Sequence, residues 1–230
     1  MKQTLIDTYN QPGNLLVATN YPPRGKGIHA AKIGGVAGFA KNTLLDLAPQ
    51  YAKDGQRIIV LAEMLSGKPA IYEEDGMLIL RCWRRDTLSL YPQLLGAIRQ
   101  FNNVKSLLVE FEFASFGDFW VTSVFPILLL VCRLLGKRIT LVLHQVLSDI
   151  WSLNGHLGLR FDSRQYRLFS NLLPLFYAGL TRCANATLVL EEEFKKRLRG
   201  LAPLDRVSVI PHGVETHNQI MSKKVARKKL

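Results

Sequence analysis

Residues 15–19 have the sequence LLVAT, an apolar run followed by a loop over residues 20–34 and a helical tract over residues 36–53. An uninterrupted apolar run of this length is typical of a strand covered on both faces of a parallel sheet. Residues 57–62, RIIVLA, repeat the pattern directly after the helical tract. The stretch from residue 15 to residue 62 therefore predicts one complete βαβ unit.

The same alternation continues along the rest of the chain. Further strands are predicted at residues 77–81, 106–113, 138–143, 186–190 and 207–210, and further helices at residues 91–101, 119–135, 164–182 and 191–198. The apolar tract at residues 119–135 predicts a largely buried helix. We therefore predict an α/β fold, a Rossmann-like parallel sheet with helices on both faces.

The composition excludes several classes of protein. The chain has 230 residues, of which 48% are hydrophobic and 21% are charged, so it is neither disordered nor collagen-like. Its three cysteines are far apart and form no CxxC pair, which argues against a disulfide framework and indicates a reducing compartment. Residues 1–14 have no apolar segment of the secretory type, so we expect a cytoplasmic protein.

The charge balance indicates an anionic partner. The chain has 30 Lys and Arg residues against 18 Asp and Glu residues, a net charge of +12. The tail at residues 223–230 contributes five of the basic residues, and the remainder of the chain is still basic. Such an excess favours association with phosphates, anionic lipids or acidic substrates.

The loop after the first strand is the first candidate site, because ligands bind at the carboxyl ends of parallel strands. From Thr8 to Leu45 there is no acidic residue, whereas four basic residues occur there. Gly34 and Gly35 open the predicted helix, and the free N–H groups of a first helical turn favour an anion. The same glycines could merely form a tight strand-to-helix turn, and both interpretations stay open. Neither a Walker loop nor a well-placed dinucleotide fingerprint is present.

A second candidate group follows the strand at residues 138–143, which ends at His144 and Gln145. A histidine at this edge can hydrogen-bond a substrate hydroxyl, or it can be a satisfied core residue. Glu110 and Glu112 lie two apart on a predicted strand and so share a face, which suits acid–base chemistry or solvated strand-end charges. The histidines have no metal-ligand spacing, so we expect no metal site.

Several stretches together resemble a known family. They are residues 20–23 (NYPP), 34–42 (GGVAGFAKN), 54–57 (DGQR), 141–144 (LVLH), 183–190 and 207–215 (VSVIPHGVE). Their order and spacing over residues 14–215 resemble the N-terminal, acceptor-side domain of family 4 glycosyltransferases, which are retaining enzymes of the GT-B fold. The last stretch is similar to the hinge between the two domains of that family.

The resemblance implies hexosyl transfer from a nucleotide sugar to a hydroxyl of a glycan or a lipid-linked acceptor, with retention and without a metal or other cofactor. It implies that Gly34 and Gly35 approach the donor diphosphate and that His144 contacts the transferred sugar or the acceptor. On charge rather than motif, an anionic acceptor would be held near the same edge. The expected acceptor-binding residues are Arg24, Lys26, Lys41 and Gln145, and the expected hinge residues are Pro211, His212 and Gly213.

The resemblance also sets the expected domain organisation. Residues 1–215 would form the GT-B N-terminal Rossmann-like domain, and residues 216–230 would be a basic segment that starts a C-terminal donor-binding domain. In the family, that second domain binds most of the nucleotide sugar. Because it lies outside this sequence, we expect the chain by itself to be inactive.

Parts of the sequence are also compatible with two other functions. Arginines among aromatic residues over residues 151–177 suit a non-catalytic basic domain that docks on an anionic membrane or on a partner protein. The same pattern also fits a helix packed on the sheet with solvated arginines, and a peripheral membrane location is compatible with an enzyme. The basic tail suggests nucleic acid, but no recognition motif accompanies it, so no specific nucleic-acid partner is expected.

Overall fold

An eight-stranded sheet forms the centre of the computed structural model, which describes residues 2–27, 34–66, 68–149 and 164–211. The strands are Leu15–Ala18 (β1), Ile58–Glu63 (β2), Ala70–Glu74 (β3), Met77–Trp83 (β4), Ser106–Phe111 (β5), Arg138–Leu143 (β6), Ala186–Val189 (β7) and Val207–Val209 (β8). Their order in the sheet is β3-β4-β2-β1-β5-β6-β7-β8, and every pairing is parallel except the pairing of β3 with β4. The predicted α/β, Rossmann-like fold is confirmed.

Eight described helices surround the sheet. They are Lys2–Tyr9 (α1), Gly35–Lys53 (α2), Leu90–Gln100 (α3), Phe113–Phe116 (α4), Phe119–Ser123 (α5), Phe125–Leu134 (α6), Arg164–Cys183 (α7) and Glu192–Leu198 (α8). The core lies in two layers, as the strand alternation requires. On one face, Val17 and Val60 pack with Leu44 of α2. On the other, Leu16 and Ile59 belong to the larger cluster that α3, α6 and α7 cover.

Three elements were not predicted from the sequence: helices α1 and α4 and strand β3. Helix α1 is short, and its Tyr9 is buried beneath it with the hydroxyl donating to Glu73 Oε1 at 2.7 Å. Strand β3 forms a hairpin with β4 through a turn in which both Asp75 and Gly76 have positive φ, 53° and 75°. An Asp-Gly pair with these angles matches the right-handed twist of the two strands, and it adds an antiparallel edge to a sheet predicted as parallel.

The predicted helix at residues 119–135 is wrong in two respects. It is broken into α5 and α6, because Pro126 has no N–H to donate to the carbonyl four residues earlier. It is also not largely buried, since Ile127, Leu130 and Leu134 are 60%, 46% and 77% exposed. Among the described residues, no helix has both the length and the apolar character that a membrane span needs.

Candidate functional site

Three polar side chains meet at the carboxyl ends of the central strands β1, β5 and β6. Thr19, which follows β1, donates from Oγ1 to Oε2 of Glu110 at 2.8 Å. Nε2 of His144, which follows β6, lies 4.0 Å from the same carboxylate oxygen. Because β5 pairs with both neighbouring strands, the sheet register alone brings these residues together.

The carboxyl group of Glu110 is enclosed in the protein. The residue is fully buried, and its Oε1 has no hydrogen-bond partner among the described residues. Burial raises the pKa of Glu110 to about 7, although the hydrogen bond from Thr19 acts in the opposite direction. Glu110 can therefore change its protonation state near neutral pH, beside an imidazole.

The imidazole of His144 is held from a second side. Its ring makes an edge-to-face contact with Phe39 of α2, with 4.7 Å between ring centroids. The His144 side chain is 6% exposed, and its backbone N–H donates to the carbonyl of Phe111 on β5. The His144 ring thus lies between the Glu110 carboxyl group, 4.0 Å from its Nε2, and the ring of Phe39, at the edge of the sheet and outside the lining of the polar cleft at that edge.

A polar cleft of about 400 Å³ opens at the same edge. It is bordered by the residues after β1, by the first turn of α2, by the end of β2 and by the start of α4. The lining residues that carry charge are Glu63, Arg85 and Glu112. The cleft therefore offers hydrogen-bond acceptors for hydroxyl groups together with one guanidinium donor.

Buried polar contacts fix the walls of the cleft. Nδ2 of Asn20 donates to Glu63 Oε2 at 3.2 Å, and burial raises the pKa of Glu63, partly offset by Arg85. Arg81 of β4 is buried and donates to the carbonyl oxygens of Tyr21, Pro22 and Glu63. These bonds hold the loop after β1 against the sheet. A lone arginine inside the apolar strand MLILRCW is the sequence signal that could have revealed this role.

The two predicted glycines line the cleft at the start of α2. Gly34 precedes the helix in an extended conformation, with φ −67° and ψ 154°, and no side chain caps the helix. A Cβ added to Gly34 or Gly35 would have no described atom within 4 Å, and neither residue has a positive φ. The described backbone does not need glycine at these positions, whereas the open space beside them leaves room for a ligand to approach the helical N–H groups.

The predicted basic acceptor-binding residues do not converge on the cleft. Nζ of Lys41 lies 2.9 Å from Glu74 and 3.3 Å from Asp75. Burial works against the charge of Lys41, but these carboxylates raise its pKa. The guanidinium of Arg24 lies over the Tyr72 ring, and Lys41 also donates to the carbonyl of Lys26. Lys41 thus connects the loop after β1, through the Lys26 carbonyl, with the β3–β4 hairpin, through Glu74 and Asp75.

The remaining predicted residues are placed as follows. Gln145 follows His144 and is half-buried. Pro211 is exposed just after β8, whereas His212 and Gly213 lie outside the described residues. The prediction that Glu112 lies on the same strand as Glu110 is wrong. Glu112 follows β5 and precedes α4, so the two side chains do not share a strand face. Across the described ranges, no group of three His, Cys, Asp or Glu side chains could hold a metal ion.

Comparison with solved structures identifies the class of fold. Sucrose-phosphate synthase from Thermosynechococcus elongatus is similar over 87% of this chain, with a TM-score of 0.57 and 11% identity. The chain spans about half the length of that synthase, 48%. Spinosyn forosaminyltransferase aligns over 93% of this chain and 54% of its own, with a TM-score of 0.41 and 12% identity. No protein-family model and no curated protein sequence matches the chain.

At 11% identity, the similarity to the synthase establishes the architecture. The chain has a GT-B-like fold, of the Rossmann-like α/β type. Membership of family 4 and the retaining mechanism stay predictions from the sequence.

Proposed function

We propose that this chain is the acceptor-side half of a glycosyltransferase, which transfers a hexosyl group from a nucleotide sugar to an acceptor hydroxyl with retention and without a metal ion. The observation that carries the proposal is the polar cleft at the carboxyl edge of a GT-B-like sheet, with the helical N-terminus at Gly34 and Gly35 on its border. Ligands of open parallel sheets bind at this edge.

Each part of the site has a role in the proposed reaction. The first turn of α2 stabilises the departing nucleoside diphosphate, because its N–H groups and the helix dipole favour negative charge. His144, which lies beside Glu110, donates or accepts a hydrogen bond at a hydroxyl of the transferred sugar or the acceptor. Glu63 and Glu112 accept hydrogen bonds from acceptor hydroxyls in the cleft.

The geometry favours a hydroxyl-rich acceptor over one held by a cluster of cations. Lys41 is already neutralised by two carboxylates, and the cleft itself has two carboxylates and one guanidinium. Arg24 and Lys26 are exposed beside the cleft, and we retain them, with Gln145, as proposed contacts to the outer part of the acceptor.

We further propose that turnover needs a donor-binding domain in addition to residues 1–230, joined through the segment at Pro211, His212 and Gly213, with residues 216–230 as its start. The first measurement is the intact mass of the protein in its source cells, compared with the 25.9 kDa of this chain. A heavier product supports one two-domain enzyme. A product of equal mass that transfers sugar steadily when purified by itself contradicts this proposal.

The test of the activity uses the protein isolated at its natural length and a panel of nucleotide sugars, with release of nucleoside diphosphate as the readout. We expect Gly35→Ala to lower kcat/KM by about tenfold to a hundredfold, because the added methyl group occupies the space of the diphosphate. Gly96→Ala is the matched control, since Gly96 lies on α3 and a Cβ there also meets no described atom within 4 Å. Equal effects of the two variants, or no transfer from any donor, would contradict the proposed function.

A further inference from the structure

An apolar groove lies on the side of the sheet covered by α5, α6 and α7. Its volume is about 480 Å³, and all of its lining side chains except that of one serine are apolar. The residues that lie deepest are Phe113, Phe169 and Leu173, which belong to the core, whereas Trp120 stands exposed at the rim. The groove is thus an extension of the hydrophobic core to the surface.

Helix α7 presents a regular apolar stripe beside this groove. Leu168, Leu172 and Leu175 are 54%, 43% and 66% exposed. At about 3.6 residues per turn, Arg164 and Arg182 fall on the same helical face, one at each end of the stripe. The exposed face of α7 therefore combines these three leucines with the polar Asn171, and it carries exposed arginines at positions 164, 167 and 182.

Helix α6 continues the apolar surface. Ile127, Leu130 and Leu134 recur at helical spacing and are all exposed. The two helices lie in close contact: a Cβ at Gly179 would be 3.0 Å from Cβ of Pro126. Clusters of exposed apolar side chains mark sites of interaction with a partner or a membrane.

The charge of these helices is of one sign. No Asp or Glu occurs from residue 119 to residue 148 or from residue 164 to residue 190. The arginines at Arg133, Arg164 and Arg182 are all exposed. The face is therefore apolar and cationic, with no carboxylate on its helices to repel a phosphate.

We propose that this face docks on the surface of an anionic lipid bilayer. The leucines of α6 and α7 and Trp120 enter the boundary between headgroups and acyl chains, and the arginines at the ends of the α7 stripe contact lipid phosphates. An apolar face with cationic residues at its margins suits interfacial binding in the plane of the membrane. A bilayer would also cover Ile127, Leu130 and Leu134 of α6, which are exposed and do not line the groove.

The test is co-sedimentation of the full chain with vesicles of phosphatidylcholine alone and of phosphatidylcholine mixed with phosphatidylglycerol. We expect binding to the mixed vesicles, and a loss of about tenfold in partition coefficient for the double variant Leu168→Ser, Leu175→Ser. Leu88→Ser is the control, because Leu88 is 62% exposed between β4 and α3. The leucine sites are exposed, so circular dichroism should show the variants folded.

A second pair of variants tests the charge. Arg164→Glu should weaken binding to the anionic vesicles by about tenfold or more, and Arg99→Glu, on α3, should have a smaller effect. Equal binding to both vesicle types would overturn the proposal, as would unchanged binding of the leucine variant. A wild-type dimer in solution that the leucine variant converts to monomer would also overturn it, because a second copy would then cover the face. This test is independent of glycosyl transfer.

Discussion

Replacing Glu110 with Gln should remove a large part of the pH dependence of stability. The carboxyl group is fully buried, and its pKa in the folded protein is about 7 instead of 4.5. The folded state therefore binds more protons than the unfolded state between these two pH values. By linkage, the contribution of Glu110 is fully present below pH 4.5 and is lost as the pH rises through about 7.

The size of the effect follows from the two pKa values. At about 1.4 kcal/mol for each unit of pKa difference, the whole difference corresponds to roughly 3–4 kcal/mol, most of which falls between roughly pH 5 and pH 8. Glutamine keeps an oxygen that can accept from Thr19, but it does not titrate. For a chain of this length, the change corresponds to a shift of about 5–10 °C in Tm.

The assay is urea unfolding of the wild-type protein and of Glu110→Gln at several values from about pH 5 to about pH 8. We expect the variant to gain stability relative to the wild type as the pH rises. His144→Gln is measured in both backgrounds, so that titration of the imidazole is separated from that of the carboxyl group. Glu112→Gln is the control for the same chemical change outside the buried site. A stability difference between Glu110→Gln and the wild type that stays constant within about 0.5 kcal/mol over this range would refute the reasoning.

Two further substitutions test packing and charge elsewhere. Lys41→Met should lower the free energy of unfolding by about 2 kcal/mol, because it leaves the largely buried carboxylate of Glu74 without its ion pair and removes the cation beside the more exposed Asp75. Lys53→Met, at the exposed end of the same helix, should change the free energy of unfolding by less than about 0.5 kcal/mol. Equal changes in the two lysine variants would show that the ion pairs of Lys41 do not contribute to stability. Gly179→Ala should destabilise by about 1 kcal/mol, since the new methyl group meets the rigid ring of Pro126 at 3.0 Å. Gly96→Ala should instead stabilise by about 0.5–1 kcal/mol, and thermal melts that place both variants above the wild type would contradict the close contact of α6 and α7.

The central parallel strands β1 and β2 could be predicted from the sequence because they are buried on both faces and are therefore short apolar runs. The runs at residues 15–19 and 138–143 correspond to β1 and β6 within one residue. The edge strand β3 escaped prediction, because its sequence AIYEE is half-exposed and carries two glutamates. At α6 the sequence predicts too much burial. Its residues are almost all apolar, but the sequence pattern does not show whether another element packs on the outer face of the helix.

The residues of the candidate site could be predicted from the sequence only where their place next to a predicted strand or helix puts them at the edge of the sheet. Gly34, Gly35 and His144 follow strands, and the parallel sheet places them at one edge. The partners of Lys41 could not be predicted, because its carboxylates come from a hairpin that pairs beside β2 through β4. The sequence places Glu110 on a predicted strand, but its burial against Thr19 depends on the pairing of β5 with β1.

The edges of the sheet bear on how the protein avoids self-association. An unpaired strand edge offers N–H and C=O groups on which another chain can add a strand, and such additions start aggregates. At one edge, β3 carries the charged side chains of Glu73 and Glu74. At the other edge, β8 has only three residues. The N–H of Ile210 donates to the carbonyl of Val189, and the next residue, Pro211, has no N–H to donate. Acidic side chains and an early proline thus discourage the growth of intermolecular β-structure from this domain.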